Sequence, residues 1–147
     1  MTIYGYCRTS TAKQNVQRQI RNIQDVAKEA LIITESFTGR SMNRPQWQKI
    51  FKAAKAGDRI IFDSVSRMSR DADEGVQIYR ELYQRGVTLE FIKEPQVNTE
   101  TYRQAAQEAV PMTGTEVDVI LKAVNAYLLI LAEKQIRLAF EQAQKEV

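Results

Sequence analysis

Apolar residues in this chain recur at two different spacings. Residues 3–8, 31–36, 59–62 and 87–92 are short runs rich in Ile, Val, Leu, Tyr and Phe, which read as strands. Between them the spacing becomes helical: Val16, Ile20, Ile23 and Ala27; then Trp47, Ile50, Phe51 and Ala54; then Val76, Tyr79, Leu82 and Tyr83. Pro45 suits the first position of the second helix. The Ala56-Gly57-Asp58 turn ends that helix, the third begins near Asp71, and Gly86 stops it. Such alternation predicts an α/β fold, a mostly parallel sheet of four to five strands with helices on both faces and right-handed crossovers.

Beyond Pro95 the pattern changes. Residues 96–114 are polar and interrupted by Pro111 and Gly114, as expected of an insertion-like loop with a short helix. From Thr115, a candidate N-cap, to Val147 there is neither proline nor glycine. Residues 115–147 therefore read as one long C-terminal helix, about 50 Å at about 1.5 Å per residue. That exceeds what a core of residues 1–95 can cover. Val117, Leu121, Val124, Leu128, Leu131 and Leu138 follow the spacing of a coiled-coil seam, and Leu129, Ala132, Ile136, Ala139, Phe140 and Ala143 form a second stripe. The far end of this helix is expected to dimerise, because apolar surface of that extent is unstable in water.

Composition narrows the chemistry. The 147 residues contain no histidine and one cysteine, which removes the Ser-His and Cys-His arrangements for activating a nucleophile and argues against a zinc site. Cys7 lies within an apolar run and reads as a small core residue of a protein kept in the reducing cytoplasm. No apolar run is long enough to span a membrane and the amino terminus lacks a signal-peptide pattern. A formal net charge of +3 leans towards an anionic partner.

Where the first strand ends, alternation places Tyr6, Arg8 and Ser10 on one face and Cys7 and Thr9 on the other. Arginines concentrate where strands end: Arg8 after the first, Arg40 and Arg44 after the second, Arg67 and Arg70 after the third. Open parallel sheets bind ligands at that edge, and guanidinium groups suit phosphate. Arg67 and Arg70 are three apart and share a face if a helix has begun there, with Ser66 or Ser69 as its cap. With no glycine-rich phosphate loop, the site reads as a serine hydroxyl within a cluster of cations, while a phosphate- or nucleotide-binding protein stands as the other reading.

Together the runs Tyr6 to Thr11 (Y-x-R-x-S-T), Gln14 and Gln19, Thr38 to Pro45 (T-G-R-S-x-N-R-P), Gly57-Asp58 and Ser66 to Arg70 (S-R-M-S-R) resemble the catalytic domain of the serine site-specific recombinases, the resolvase and invertase family. The resemblance implies a resolvase-like fold and DNA strand cleavage and rejoining through a 5′-phosphoserine intermediate, with no metal, no other cofactor and no ATP. It implies Ser10 as nucleophile, Arg8, Arg67 and Arg70 on the non-bridging oxygens, Arg44 as a further phosphate contact, and Tyr6, Gln14, Gln19 and Thr38 in positioning. The implied partners are double-stranded DNA at a recombination site and further copies of the chain, a homodimer that becomes a tetramer in the synaptic complex.

Three departures accompany it. Many members carry aspartate where this chain has Ser66, which removes the usual candidate acid and leaves open a catalytically impaired dimerisation module of the same family. The family's Glu-Arg pair in the long helix has two candidate counterparts, Glu133-Lys134 and Glu146-Val147. Family members continue into a DNA-binding region, so the chain is expected to be the catalytic part of a longer protein.

Overall fold

The computed structural model describes residues 1–9, 16–36, 44–107 and 109–145. Four strands, β1 (Ile3–Thr9), β2 (Leu31–Ser36), β3 (Arg59–Phe62) and β4 (Thr88–Phe91), form one sheet in the order β2-β1-β3-β4. All its pairings are parallel. Ile60, Ile61 and Phe62 are all fully buried, the unbroken apolar run that a strand covered on both faces requires.

Helix α1 (Val16–Val26) connects β1 to β2 on one face, where Ile23 and Ala27 pack on Ile3, Cys7 and Ile61. Helices α2 (Pro45–Ala53) and α4 (Ala72–Arg85) connect the strands on the other side of β1 and lie on the opposite face, with Trp47, Ile50, Tyr79 and Leu82 against Tyr6, Phe62, Leu89 and Phe91. The chain thus leaves β1 in one direction for β2 and returns past it to β3. Right-handed crossovers in opposite directions put their helices on opposite faces. The reversal opens a crevice at the carboxyl end of β1, beside β3.

The turns at the other edge follow from local chemistry. Asp58 is buried, and its carboxylate accepts the Thr2 N–H at 2.9 Å and the Lys55 N–H at 3.0 Å. Those two donors hold its carboxyl below the usual range. Gly86 ends α4 with φ 90°, its N–H reaching the carbonyls of Leu82 and Tyr83, a left-handed cap that glycine adopts without strain.

After β4 a 3₁₀ turn (Pro95–Val97) leads into α5 (Thr99–Ala106), and Val97 and Thr99 are buried. The Tyr79 hydroxyl donates to the Val97 carbonyl at 2.6 Å and the Thr99 hydroxyl accepts the Leu89 N–H at 2.7 Å. The polar segment is therefore tied to the core by buried hydrogen bonds.

The last helix, α6, runs from Asp118 to Lys145, 28 residues and about 42 Å. It starts later than Thr115, because the Asp118 carboxylate accepts the N–H groups of Thr113 and Gly114 and closes a turn ahead of it. Its placement reverses the expected one. The carboxyl half lies on its own domain, with Ile136, Ala139, Phe140 and Ala143 buried, while apolar side chains of the amino half face solvent. Gly75 explains this, since a Cβ there would stand 2.5 Å from the Phe140 ring. Its absence opens the groove that Phe140 fills. Arg137 pairs with Asp73 at 3.1 Å, and Gln144 Oε1 accepts the Ala72 N–H at 2.8 Å.

The seam also shifts register. Leu121 and Leu128 turn partly inward. The outward row is Val117, Ile120, Val124, Tyr127, Leu131 and Leu138, between 38% and 65% exposed.

Candidate functional site

The site begins with how β1 ends. Tyr6 and Arg8 share a face and Cys7 takes the other, as the alternation requires. Tyr6 is fully buried, its ring 5.3 Å from Trp47 and 6.0 Å from Phe62 between centroids. Its hydroxyl donates to Glu35 Oε1 at 2.7 Å. Burial, reinforced by that carboxylate, pushes the Tyr6 phenol above the ordinary tyrosine range.

Glu35 is the residue that the sequence reading missed. It stands opposite Arg8 in the sheet register and is 5% exposed. Besides the Tyr6 phenol it accepts the Gln46 N–H at 3.0 Å and the Trp47 N–H at 3.1 Å. One carboxylate thus caps α2, where backbone donors lack intrahelical partners and the helix dipole favours an anion. The available signal was an acid closing an apolar strand with Pro45, the first residue of a helix, ten positions on.

Arg8 is held by its own backbone. Its N–H donates to Gln19 Oε1 at 3.1 Å, and Gln19 Nε2 donates to its carbonyl at 3.0 Å. Only 8% of Arg8 is exposed, and its guanidinium donates to the Ser66 carbonyl. Burial chiefly, then the Arg44 charge, with Arg70 and Arg67 adding, lowers the Arg8 guanidinium to about 10. At neutral pH it is a buried cation among cations.

Arg44 occupies the N-cap position of α2 and is buried. It lies over the Trp47 ring at 5.6 Å. Its Nη1 donates to the Arg67 carbonyl and its Nη2 to Glu74 Oε1, each at 3.4 Å. Arg67 belongs to a short helix, α3 (Val65–Met68), and its Nε is buried with no partner among the described residues. Burial is the largest cause of its lowered pKa, which Asp63 partly offsets and Arg70 reinforces.

Two local expectations are corrected. Helix α3 ends at Met68, with Ser69 as its C-cap, so Arg70 lies beyond it and the two arginines do not share one helical face. Neither serine is the N-cap of α3: Ser66 is inside α3 with its Oγ 2.8 Å from Ser64 Oγ, and Ser69, at the carboxyl end, turns its hydroxyl to Asp71 and Glu74. The N-cap of α3 is Ser64, and that of α4 is Asp71, which accepts the Glu74 N–H at 3.0 Å.

Asp63, just past β3, is 2% exposed and accepts Asn22 Nδ2 at 2.9 Å, with Lys93 Nζ at 3.2 Å. Of the two candidate pairs in the long helix, Glu133 accepts the Tyr102 hydroxyl at 3.1 Å rather than engaging the arginines. Glu146 lies outside the described residues. So do Ser10, Gln14, Thr38 and Arg40.

Tyr6, Arg8, Gln19, Arg44 and Arg67 therefore meet at the carboxyl end of β1, with Arg70 exposed beside them. Glu35 is committed to a phenol and two backbone amides, and Glu74 contacts Arg44. Mutually repelling, partly desolvated guanidiniums in excess over carboxylates form a receptor for an anion, and bidentate donors suit a phosphoryl group.

Fold and site together define a doubly wound parallel α/β domain with a cationic crevice at its topological switch point. A family model described as "Resolvase, N terminal domain" matches residues 3–144, and the chain belongs to that family. Similar relatives include the transposon Tn21 resolvase of Escherichia coli, 34% identical over 90 residues, which are 61% of this chain and 46% of the relative. The transposon Tn501 resolvase of Pseudomonas aeruginosa is 35% identical over 95 residues, 65% of this chain and 49% of the relative. The chain spans about half the length of these curated relatives. Among solved structures, the N-terminal catalytic domain of TP901-1 integrase superposes with a TM-score of 0.52 at 15% identity, covering 89% of this chain and 98% of that one. A resolvase family site-specific recombinase from Streptococcus pneumoniae gives 0.52 at 17% identity, with 99% of each chain covered. These two likenesses concern the fold. Among the described residues no helix is long and apolar enough to cross a membrane.

Proposed function

We propose that this chain is the catalytic domain of a DNA site-specific recombinase acting in the cytoplasm, with Ser10 as nucleophile. The Ser10 oxygen forms a bond to phosphorus as the bond to the 3′ oxygen breaks. The serine proton departs, and the 3′ oxygen takes up a proton to become a free hydroxyl. In the second step a 3′-hydroxyl attacks the 5′-phosphoserine, restoring a phosphodiester and the serine. One phosphodiester replaces another, so the exchange needs no nucleotide hydrolysis.

Reactions of this kind ask a protein for in-line placement and charge stabilisation. Arg8, Arg67 and Arg70 serve the non-bridging oxygens, and Arg44 is a further phosphate contact. Tyr6 and Gln19 keep the end of β1 in place, and Gln14 and Thr38 position the phosphate and the reacting side chains. The observation that carries the reading is the buried Arg8 beside the buried Arg44, with Arg67, whose Nε has no partner among the described residues, at the switch point of a resolvase-family domain. The outward row of α6 supports a homodimer. Exchange of four DNA strands calls for four copies, each supplying one serine.

The test uses a protein that joins this chain to its DNA-binding region, incubated with its recombination site and quenched in detergent. A covalent protein–DNA adduct is expected, lost in Ser10→Ala and reduced on the order of 10³-fold or more in rate by Arg67→Ala. No adduct from the folded wild type on a proven site overturns the reading.

A further inference from the structure

Helix α1 carries two arginines that the site as described leaves unused. Its buried side holds Gln19 and Ile23. Arg18 and Arg21 are exposed and form no ion pair or hydrogen bond among the described residues. Both lie on the solvent side of α1, away from the buried Gln19 and Ile23.

Two contacts fix where these side chains stand. Gln19, directly after Arg18, is locked to the backbone of Arg8 by hydrogen bonds of 3.1 and 3.0 Å. Asn22, directly after Arg21, donates to the buried Asp63 at 2.9 Å. Arg18 is four residues before Asn22 and three before Arg21, so the three share one flank of the helix. Because α1 starts just past the carboxyl end of β1, and helical Cα–Cβ bonds tilt towards the helix amino terminus, both arginines lean towards the edge that holds Arg8, Arg67 and Arg70. Lys93, just past β4, pairs with Asp63 at that flank, Asp25 stands one turn further along the helix from Arg21, and neither Arg18 nor Arg21 has an ion-pair partner among the described residues.

From this arrangement we infer that Arg18 and Arg21 form a second row of phosphate contacts, gripping the backbone of duplex DNA beside the phosphate held in the cationic crevice. The inference rests on the recombinase reading for the identity of the polyanion. The row contacts phosphates alone, so it positions the duplex and leaves base sequence unread. It would keep the duplex from pivoting about a single anchored phosphate.

The test is binding of a fluorescein-labelled duplex of arbitrary sequence to the 147-residue chain, followed by anisotropy across a range of salt concentrations. Each phosphate contact adds about 0.9 to the slope of log affinity against log salt. Arg18→Ala/Arg21→Ala should lower that slope by about 1 to 2 and leave the thermal melting curve in place. The control is Lys49→Ala/Lys52→Ala, which removes the same charge from the exposed side of α2 on the opposite face and should leave the slope nearly unchanged. An equal fall in both variants, no fall in the arginine variant, or no duplex binding by the wild type at low salt overturns the inference. Formation of the Ser10 adduct is read separately in the longer protein, so loss of the second row leaves the recombinase reading standing, and loss of the adduct leaves the salt slope to be judged by itself.

Discussion

Gln19 grips Arg8 by the backbone rather than by the guanidinium: its amide accepts the Arg8 N–H and donates to the Arg8 carbonyl, at 3.1 and 3.0 Å. These polar groups belong to the last turnings of a strand whose next residue is the proposed nucleophile. A side-chain amide therefore continues the hydrogen bonding where the sheet runs out, and holds the Arg8 backbone at the end of the strand.

Gln19 is 1% exposed, so its loss leaves backbone groups without partners. Gln19→Leu should destabilise the fold by about 2 kcal/mol, within the range for stranding a buried donor or acceptor. Gln19→Glu should cost as much or more, because a carboxylate can still accept the N–H but then faces the Arg8 carbonyl. Urea denaturation of the three proteins checks this, and a Glu variant as stable as wild type would show that the pairing does not hold the strand end.

Gly75 and Phe140 give a prediction about the long helix. A Cβ at position 75 would approach the Phe140 ring to 2.5 Å, closer than packed atoms tolerate. Gly75→Ala should cost about 1–3 kcal/mol, the usual penalty for overpacking a filled core. Adding Phe140→Leu should recover part of that loss, since mutations at touching sites are not additive. Denaturation of the two single variants and the double variant measures the coupling, and strictly additive effects would refute the groove as the reason for the docking of α6.

Much of the fold was legible in the sequence because period and punctuation agreed. Four apolar runs, helical spacings between them, Pro45 at a helix start and Gly86 at a helix end all describe local preferences that tertiary packing then kept. The site was legible only as far as strand ends could be read. Arg8, Arg44 and Arg67 come together because three chain segments finish at one edge, which alternation and topology foretell. Glu35 escaped notice because its role depends on where α2 begins in space. Helix α6 misled for a related reason: both of its stripes are apolar, and the choice of which packs inward was made by Gly75, a missing side chain on another helix that the periodicity of α6 alone does not reveal. Ser10, Gln14 and Thr38 lie outside the described residues, so their roles stay with the proposal.

Cys7 supplies a pH prediction with a definite sign. Burial, with Asp63 adding, pushes its thiol from 9.0 to about 12. A group whose pKa is raised by folding binds its proton more tightly in the native state, so the contribution is complete below about pH 9 and is lost as pH rises towards about 12. At about pH 10.5 the loss should be on the order of 2 kcal/mol relative to about pH 8, at 1.36 kcal/mol per unit. Cys7→Ala removes this titration, so the stability of the variant should fall less steeply over the same interval. Parallel slopes for the two proteins would mean that Cys7 does not titrate on unfolding in this range.

The outward row of α6 makes a claim about association. Ile120 is 65% exposed, Tyr127 61% and Leu131 38%, and their spacing of seven and four is the repeat by which paired helices interlock. Buried against a second copy, these side chains would contribute through removal of apolar surface at about 25 cal/mol per Å², offset by the cost of bringing two chains together. Leu131→Lys would place a charge in the middle of that contact, while on a lone helix it touches little and should change monomer stability by less than about 0.5 kcal/mol. Sedimentation equilibrium should therefore find reversible self-association of the wild type, weakened at least about tenfold by Leu131→Lys, the equivalent of about 1.4 kcal/mol. Lys134→Ala should act in the opposite direction, because Lys134 falls in the same row between Leu131 and Leu138 and sets a cation against its counterpart. A wild-type chain that stays monomeric at high concentration, or a dimer that tolerates the lysine, would rule out this face as the contact between copies.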